Sequence, residues 1–267
     1  MQYKMLVLDL DDTLLCDDYS ISDRNKEMLM KAQEKGVYVV LASGRPTPAM
    51  LRYAKELDLE KYGSFIISYN GAIITDLRLQ KSIFEQSLSK EQIHALHDFS
   101  LANHVDIVTY TADSIISETS SKYIDIEVQL TQMKFNKVDC FKTAVTEPGV
   151  KCILLEDPEY LKTVEVKLKQ EKPDTSVAIS KPFFLEVMAK GIDKAASVAR
   201  LAEKLGIRQD EIIAVGNAGN DLSMVEYAGL GVWVDNVLPE LRSCADVIVA
   251  SNNNHGVAEV VEKYILN

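Results

Sequence analysis

The sequence predicts an α/β protein: a doubly wound parallel sheet, Rossmann-like in outline, interrupted by an inserted α+β module. Three observations carry that expectation. Near-continuous apolar runs at 3–9, 37–42 and 64–68 alternate with helical periodicity, as strands buried on both faces of a parallel sheet do. Between 82 and 187 the rhythm changes to short segments of alternating apolar and polar residues. From 188 onward the buried-strand pattern returns at 212–215, 231–234 and 247–249. The expected division is therefore a core domain of residues 1–81 and 188–267, with 82–187 inserted into it.

The elements follow in order. The first run, 3–9, stops at the acids Asp9, Asp11 and Asp12. Ser22 is placed to cap a helix whose apolar rhythm passes through Met28, Leu29 and Ala32 and closes at Gly36, because a serine oxygen satisfies the first free amides and glycine accepts the left-handed exit. After the strand at 37–42, Pro46 and Pro48 open a helix to residue 57. A third strand at 64–68 is turned by Asn70-Gly71 into 72–75. Strand, helix, strand, helix, strand implies right-handed crossovers. The inserted segment shows strands near 83–87, 105–110, 114–117, 151–155, 176–179 and 183–187, with helices near 89–103 and 157–171. Their alternation predicts an antiparallel sheet with one wet face. Helices at 191–205, 221–228 and 256–265 complete the chain.

Composition narrows the function. With 267 residues, 47% hydrophobic and 26% charged, the chain is neither disordered nor fibrous nor a disulfide-stapled miniature. Forty acidic residues against 29 basic give a net charge of -11, which argues against nucleic acid or an anionic membrane as partner. The four cysteines, Cys16, Cys140, Cys152 and Cys244, lack ligand-like spacing and read as free thiols of a reducing compartment. The opening acids interrupt any leader, and no apolar window reaches about 18 residues, so a cytoplasmic protein is expected. His94 and His97 lie one turn apart on a helix without the matching ligands of a metal site and are read as ordinary surface. Trp233 is read as core.

Four clusters could carry chemistry. Asp9-Leu-Asp11-Asp12-Thr13 lies at the carboxyl end of the first strand, the edge where open parallel sheets bind ligands. Period-two alternation would send Asp9 and Asp11 to one side, and two carboxylates that close need a shared proton or a hard cation such as magnesium. A solvated acidic turn is the plainer reading. Ser43-Gly44-Arg45 follows the second strand; a hydroxyl beside glycine suits an anion, as it also suits a simple turn. Lys194 opens a helix, where a cation opposes the dipole unless it faces an anion. Gly216-Asn217-Ala218-Gly219-Asn220-Asp221 follows a later strand and offers oxygen ligands on a glycine-freed loop.

In this order and placement, Asp9-Leu-Asp11-Asp12-Thr13-Leu14-Leu15, Ser43-Gly44-Arg45, Lys194 and the 216–221 loop resemble the four motifs of the haloacid dehalogenase superfamily of phosphatases. The insertion, Ser68-Tyr-Asn70-Gly71-Ala72 and Asn253-Asn-His255-Gly256-Val257-Ala258 resemble its Cof-type branch, which carries a large α/β cap. The resemblance implies a magnesium-dependent phosphatase of small phosphorylated metabolites, sugar phosphates foremost. Asp9 would be the nucleophile and Asp11 the general acid and base. Leu10, Ser43, Gly44, Lys194 and Asn220 would contact the phosphate, and Asp9, Asp11, Asn217 and Asp221 the metal. The protein would act as a monomer or weak homo-oligomer.

Two positions depart from the family pattern. Asp12 stands where the family usually has glycine, and Asn217 where it usually has aspartate. A neutral Asn217 implies weaker magnesium binding, which Asp221 would offset. The alternatives are a phosphomutase or phosphotransferase on the same fold, or a weakened member that binds a phosphorylated ligand. A receiver-type signalling module fits poorly, since its acceptor aspartate should close the third strand.

Overall fold

The computed structural model describes residues 3–111 and 113–267. The chain forms two compact units, one of residues 1–85 and 193–267 and one of residues 86–192.

The chain begins with β1 (Met5–Leu8), α1 (Asp23–Glu34), β2 (Tyr38–Ala42), α2 (Thr47–Glu56), β3 (Phe65–Ser68), β4 (Ile73–Asp76) and β5 (Lys81–Glu85). The second unit then contributes α3 (Lys90–Ala102), β6 (Asp106–Tyr110), β7 (Ser114–Ser117), α4 (Lys122–Thr131), β8 (Lys134–Lys137), α5 (Phe141–Ala144), β9 (Lys151–Leu155), α6 (Pro158–Glu171), β10 (Thr175–Lys181) and β11 (Phe184–Ala189). The chain re-enters the first unit with α7 (Lys194–Leu205), β12 (Ile212–Gly216), α8 (Leu222–Tyr227), β13 (Leu230–Val234), β14 (Val247–Val249) and α9 (Gly256–Val261).

The first unit's eight-stranded sheet has the order β14-β13-β12-β1-β2-β3-β4-β5. Its strands from β14 through β3 run parallel, and β4 and β5 turn back antiparallel. Alternate residues feed opposite cores. Leu6, Leu8, Val39 and Leu41 meet α1, α2 and α9 on one face, while Met5, Val7, Val40 and Ala42 meet α7 and α8 on the other. This is the doubly wound arrangement that the apolar runs predict. Each fully buried aliphatic side chain stabilises it by about 1.5–3 kcal/mol. Trp233 is fully buried in the second core and donates its indole N–H to Leu241 O at 2.8 Å. Ser22 caps α1 by accepting from the Asn25 amide.

The second unit's sheet has the order β10-β11-β9-β6-β7-β8 and is antiparallel except for the pairing of β7 with β8. Three sequence expectations need correction, and α4 carries no sequence expectation. The strand expected near 83–87 within the insertion is β5, and it closes the eight-stranded sheet beside β4. The expected wet face is absent at the centre, where β9 and β11 are buried along their whole lengths. α4 went unread because Ile124, Ile126 and Val128 alternate like a strand; Ser121, accepting from the Ile124 amide, starts the helix instead. His97 is not surface: it is buried, stacks on Phe141 with ring centroids 4.8 Å apart, and sits 3.3 Å from Glu118. That acid is 21 residues away in the chain, beyond what local spacing reveals.

All four cysteines are free. Among the described residues no helix is long and apolar enough to cross a membrane.

Candidate active site

The carboxyl edge of the parallel sheet gathers the acidic and cationic residues of the first unit. Asp9 follows β1 directly, and its amide still donates to Val215 O at 3.0 Å, prolonging the ladder by one residue. The chain then makes one tight turn, Leu10–Leu14, within which Asp11 is extended and Asp12 left-handed at φ 57°. Aspartate tolerates that region far better than a β-branched residue. Strand alternation therefore does not govern Asp9 and Asp11, because β1 ends at Leu8. The two carboxylates engage different cations.

Asp9 accepts from Lys194 Nζ at 2.7 Å. The same ammonium donates to Asp221 Oδ1 at 2.6 Å and to Ala42 O at 2.9 Å. All three of its protons are thereby engaged. Lys194 and Asp221 are fully buried, and Asp9 is 4% exposed. Burial and then the Asp221 charge push the Asp9 carboxyl up to about 7, with Asp11 adding to them and Lys194 opposing. Burial works against the Lys194 charge too, yet Asp221 and Asp9 outweigh it and hold the ammonium above its ordinary range. The Asp193 side chain, accepting from Ala196 N, caps α7 and sets Lys194 at its first position.

Asp11 is held by Arg45, with Nε to Oδ2 at 2.9 Å and Nη2 to Oδ1 at 2.7 Å. Arg45 is itself buried, its guanidinium 5.6 Å from both the Tyr19 and the Tyr53 ring centroids. Ser43 is buried after β2; its amide donates to Ile67 O, and its hydroxyl accepts from Arg45 N at 3.2 Å. Gly44 lies between them, and the Leu10 side chain is fully buried in the core.

In the 216–221 loop, Asp221 Oδ2 accepts from the Asn217 and Ala218 amides at 3.0 and 3.1 Å. A Cβ on Gly216 would stand 2.5 Å from Asp221 Cβ, so only glycine lets the carboxylate fold back beneath its own loop. Asn217 Oδ1 accepts from Thr13 Oγ1 at 3.2 Å, which ties this loop to the acidic turn. Asn220 Nδ2 donates to Asn70 Oδ1 at 3.2 Å.

The structure thus brings Asp9, Lys194 and Asp221 into direct contact, with Asn217 joined to the same turn through Thr13. Asp11 is paired with Arg45, and Asn220 reaches Asn70. Sequence reasoning places Arg45 in its cluster without assigning it a partner. It leaves Asn70 as a motif residue without a role, since contacts across 34 and 150 positions leave no local trace.

The donor set bears on a cation. Every donor from Asp9, Asp11, Asn217 and Asp221 is oxygen, the chemistry that hard divalent ions take. Three carboxylates face two cations here. Among the described residues no three His, Cys, Asp or Glu side chains form a ready cage. The residues fit a magnesium ion that keeps several of its own waters. Asp221 has Lys194 on Oδ1 and two amides on Oδ2, which leaves an acceptor position on Oδ1 for a cation.

An open α/β sheet with buried acids and a buried lysine at its carboxyl edge suits a hydrolase, and comparison with known proteins supplies the class. The chain belongs to the haloacid dehalogenase-like hydrolases, whose family model matches residues 6–261. It is 32% identical over 269 residues to YxeH of Bacillus subtilis, covering 99% of each chain. It is 30% identical over 264 residues to the 5-amino-6-(5-phospho-D-ribitylamino)uracil phosphatase YcsE of the same organism, covering 98% of this chain and 96% of that one. A solved haloacid dehalogenase-like hydrolase from Bacteroides thetaiotaomicron is 39% identical with a TM-score of 0.89, covering 98% of this chain and 99% of its own. The doubly wound fold and the Cof-type resemblance both stand, and the protein is an enzyme of the phosphoric monoester hydrolase class.

Proposed function

We propose that this enzyme is a magnesium-dependent phosphatase of small phosphorylated metabolites, sugar phosphates among them, working through an aspartyl-phosphate on Asp9. The observation that carries the reading is the buried Asp9–Lys194–Asp221 cluster at the edge of the sheet. A carboxylate so placed is desolvated, fixed in direction and next to a cation, as a nucleophile for phosphorus needs to be.

In the first half-reaction an Asp9 oxygen attacks phosphorus. The new O–P bond forms as the bond to the leaving oxygen breaks, and Asp11 passes a proton to the departing alkoxide. In the second half, the Asp11 carboxylate takes a proton from water as the water oxygen attacks phosphorus. The bond to Asp9 then breaks, releasing phosphate and restoring the carboxylate. General acid–base help of this kind contributes typically ~10²–10⁴-fold. Arg45 donates one hydrogen bond to each Asp11 oxygen, so Asp11 would first take up a proton from solvent on a remaining lone pair before it serves as the acid. Ser43, Gly44, Lys194, Asn220 and the Leu10 backbone would hold the phosphoryl oxygens. Lys194 has no spare proton, so it gains an incoming oxyanion by exchanging a partner. Asp9, Asp11 through its backbone carbonyl, Asn217 and Asp221 are the residues that would hold the metal. Magnesium, when bound there, would supply positive charge to screen Asp9 from the phosphate and polarise phosphorus.

By resemblance to the Cof-type branch the second unit would be its cap, and the free cysteines fit a cytoplasmic setting. The test is phosphate release from an aryl phosphate, with magnesium and with EDTA, in the wild type and in Asp9→Asn. Activity confined to the wild type with magnesium is expected, and undiminished turnover in Asp9→Asn would sink the proposal. An isomeric sugar phosphate formed without inorganic phosphate would instead mark a phosphotransfer enzyme.

A further inference from the structure

The connection from β3 to β4 is a four-residue loop between Ser68 and Ile73, which pair with each other. Three successive residues in it have positive φ: Tyr69 at 51°, Asn70 at 51° and Gly71 at 110°. An Asn-Gly hairpin needs two such residues at most, and both are small or polar. Here a tyrosine is forced into the left-handed region as well, although the loop is buried, with Tyr69 6% and Asn70 3% exposed. Strain of this kind persists only where the surroundings over-determine it.

The surroundings are the candidate site. Tyr69 N donates to Arg45 O at 3.0 Å and Asn70 N to Ser43 O at 2.9 Å, so the loop pins both ends of Ser43-Gly44-Arg45. Ser197 Oγ donates to Gly71 O at 2.6 Å. A Cβ on Gly71 would stand 2.5 Å from Asp193 O, so the loop lies flush against the start of the helix that bears Lys194. Asn70 Oδ1 accepts from Asn220 Nδ2. One strained turn thus touches three separate segments that supply anion-binding groups.

We propose that Asn70 is a further positioning residue of the hydrolysis, whose carboxamide fixes the orientation of Asn220 toward the substrate phosphate. The assignment rests on the reading of Asn220 as a phosphate contact. Asn70 combines the two features the place demands. Asparagine accepts the left-handed backbone more readily than most residues, and its side-chain oxygen receives the Asn220 amide. Glycine would supply only the first feature.

That difference makes the test. Asn70→Gly keeps the backbone and removes the carboxamide; Asn70→Asp keeps the shape and an acceptor oxygen but adds negative charge beside the anion. KM for an aryl phosphate and competitive inhibition by inorganic phosphate are measured with magnesium, alongside Tm. For Asn70→Gly we expect Tm close to wild type and both constants weakened by about tenfold, the worth of one hydrogen bond to a charged group, with a smaller change in kcat. Asn70→Asp should weaken phosphate binding further. In an Asn220→Ala background, Asn70→Gly should add almost nothing, because it acts through Asn220. Unchanged KM and phosphate inhibition in Asn70→Gly, or losses that simply add in the double variant, would overturn the role of Asn70. Unchanged phosphate inhibition in Asn220→Ala alone would overturn the phosphate reading of Asn220, and the role of Asn70 with it.

Discussion

Arg45 grips Asp11 with two parallel hydrogen bonds, at 2.9 and 2.7 Å, and is itself flanked by the Tyr19 and Tyr53 rings. A planar fork fits a carboxylate in a way that no ammonium can reproduce. The pair therefore fixes both the position and the plane of the proposed acid and base.

Arg45→Lys keeps the charge and loses the fork. Its kcat on an aryl phosphate should fall by about tenfold to a hundredfold, the cost of a misplaced catalytic group, with KM within a few-fold of wild type. Steady-state kinetics check this. A kcat equal to that of the wild type would mean that the bidentate grip is dispensable.

The raised Asp9 carboxyl makes stability depend on pH. With its folded pKa near 7 and an ordinary value of 3.8, the folded state binds the proton more tightly than the unfolded state. Asp9 thus favours folding most below pH 4, and that contribution is lost as pH rises toward and through 7. In EDTA, calorimetric Tm should be higher at pH 6 than at pH 8, and Asp9→Asn should flatten the difference. Magnesium should restore Tm chiefly at the higher pH. A wild-type Tm that rises between pH 6 and pH 8 in EDTA has the wrong sign for this account.

Asn217 offers a neutral oxygen where a charged one is usual in the resembling family. Asn217→Asp should lower the magnesium concentration for half-maximal activity by roughly tenfold, because carboxylate count tunes affinity for hard cations. A magnesium titration that superimposes on the wild type would remove residue 217 from the metal site.

In the second unit, Lys151 and Glu186 form a buried ion pair at 3.0 Å, and Glu186 also accepts from Ser180 Oγ at 2.8 Å. Lys151→Met should destabilise the protein by about 3–5 kcal/mol by stranding Glu186, and adding Glu186→Leu should recover most of the loss. Urea denaturation followed by circular dichroism measures both. A single variant as stable as wild type would show that the pair contributes nothing.

The parallel core was legible because strands buried on both faces leave unbroken apolar runs, as in Met5–Leu8 and Ile212–Gly216. The residues of the site were legible as strand-end clusters, and Lys194 stood out because a cation at a helix start wants an anion. Their pairing was not. Which cation meets Asp9 and which meets Asp11 depends on contacts spanning 185 and 34 residues. The α4 segment misled because Ile124, Ile126 and Val128 favour a strand locally while the Ser121 cap and tertiary packing select a helix. β5 was given to the wrong sheet because its half-exposed residues carry little pattern.

The left-handed backbone at Asp12 narrows what mutation can explore at the centre of the acidic turn. Glycine and asparagine, the two residues best suited to that conformation, each lie one base change from an aspartate codon. Valine lies equally near and would be resisted by the fold. Drift at this position should accordingly circulate among three residue types, so the genetic code and the torsion angle together keep the loop's shape while its charge is free to vary.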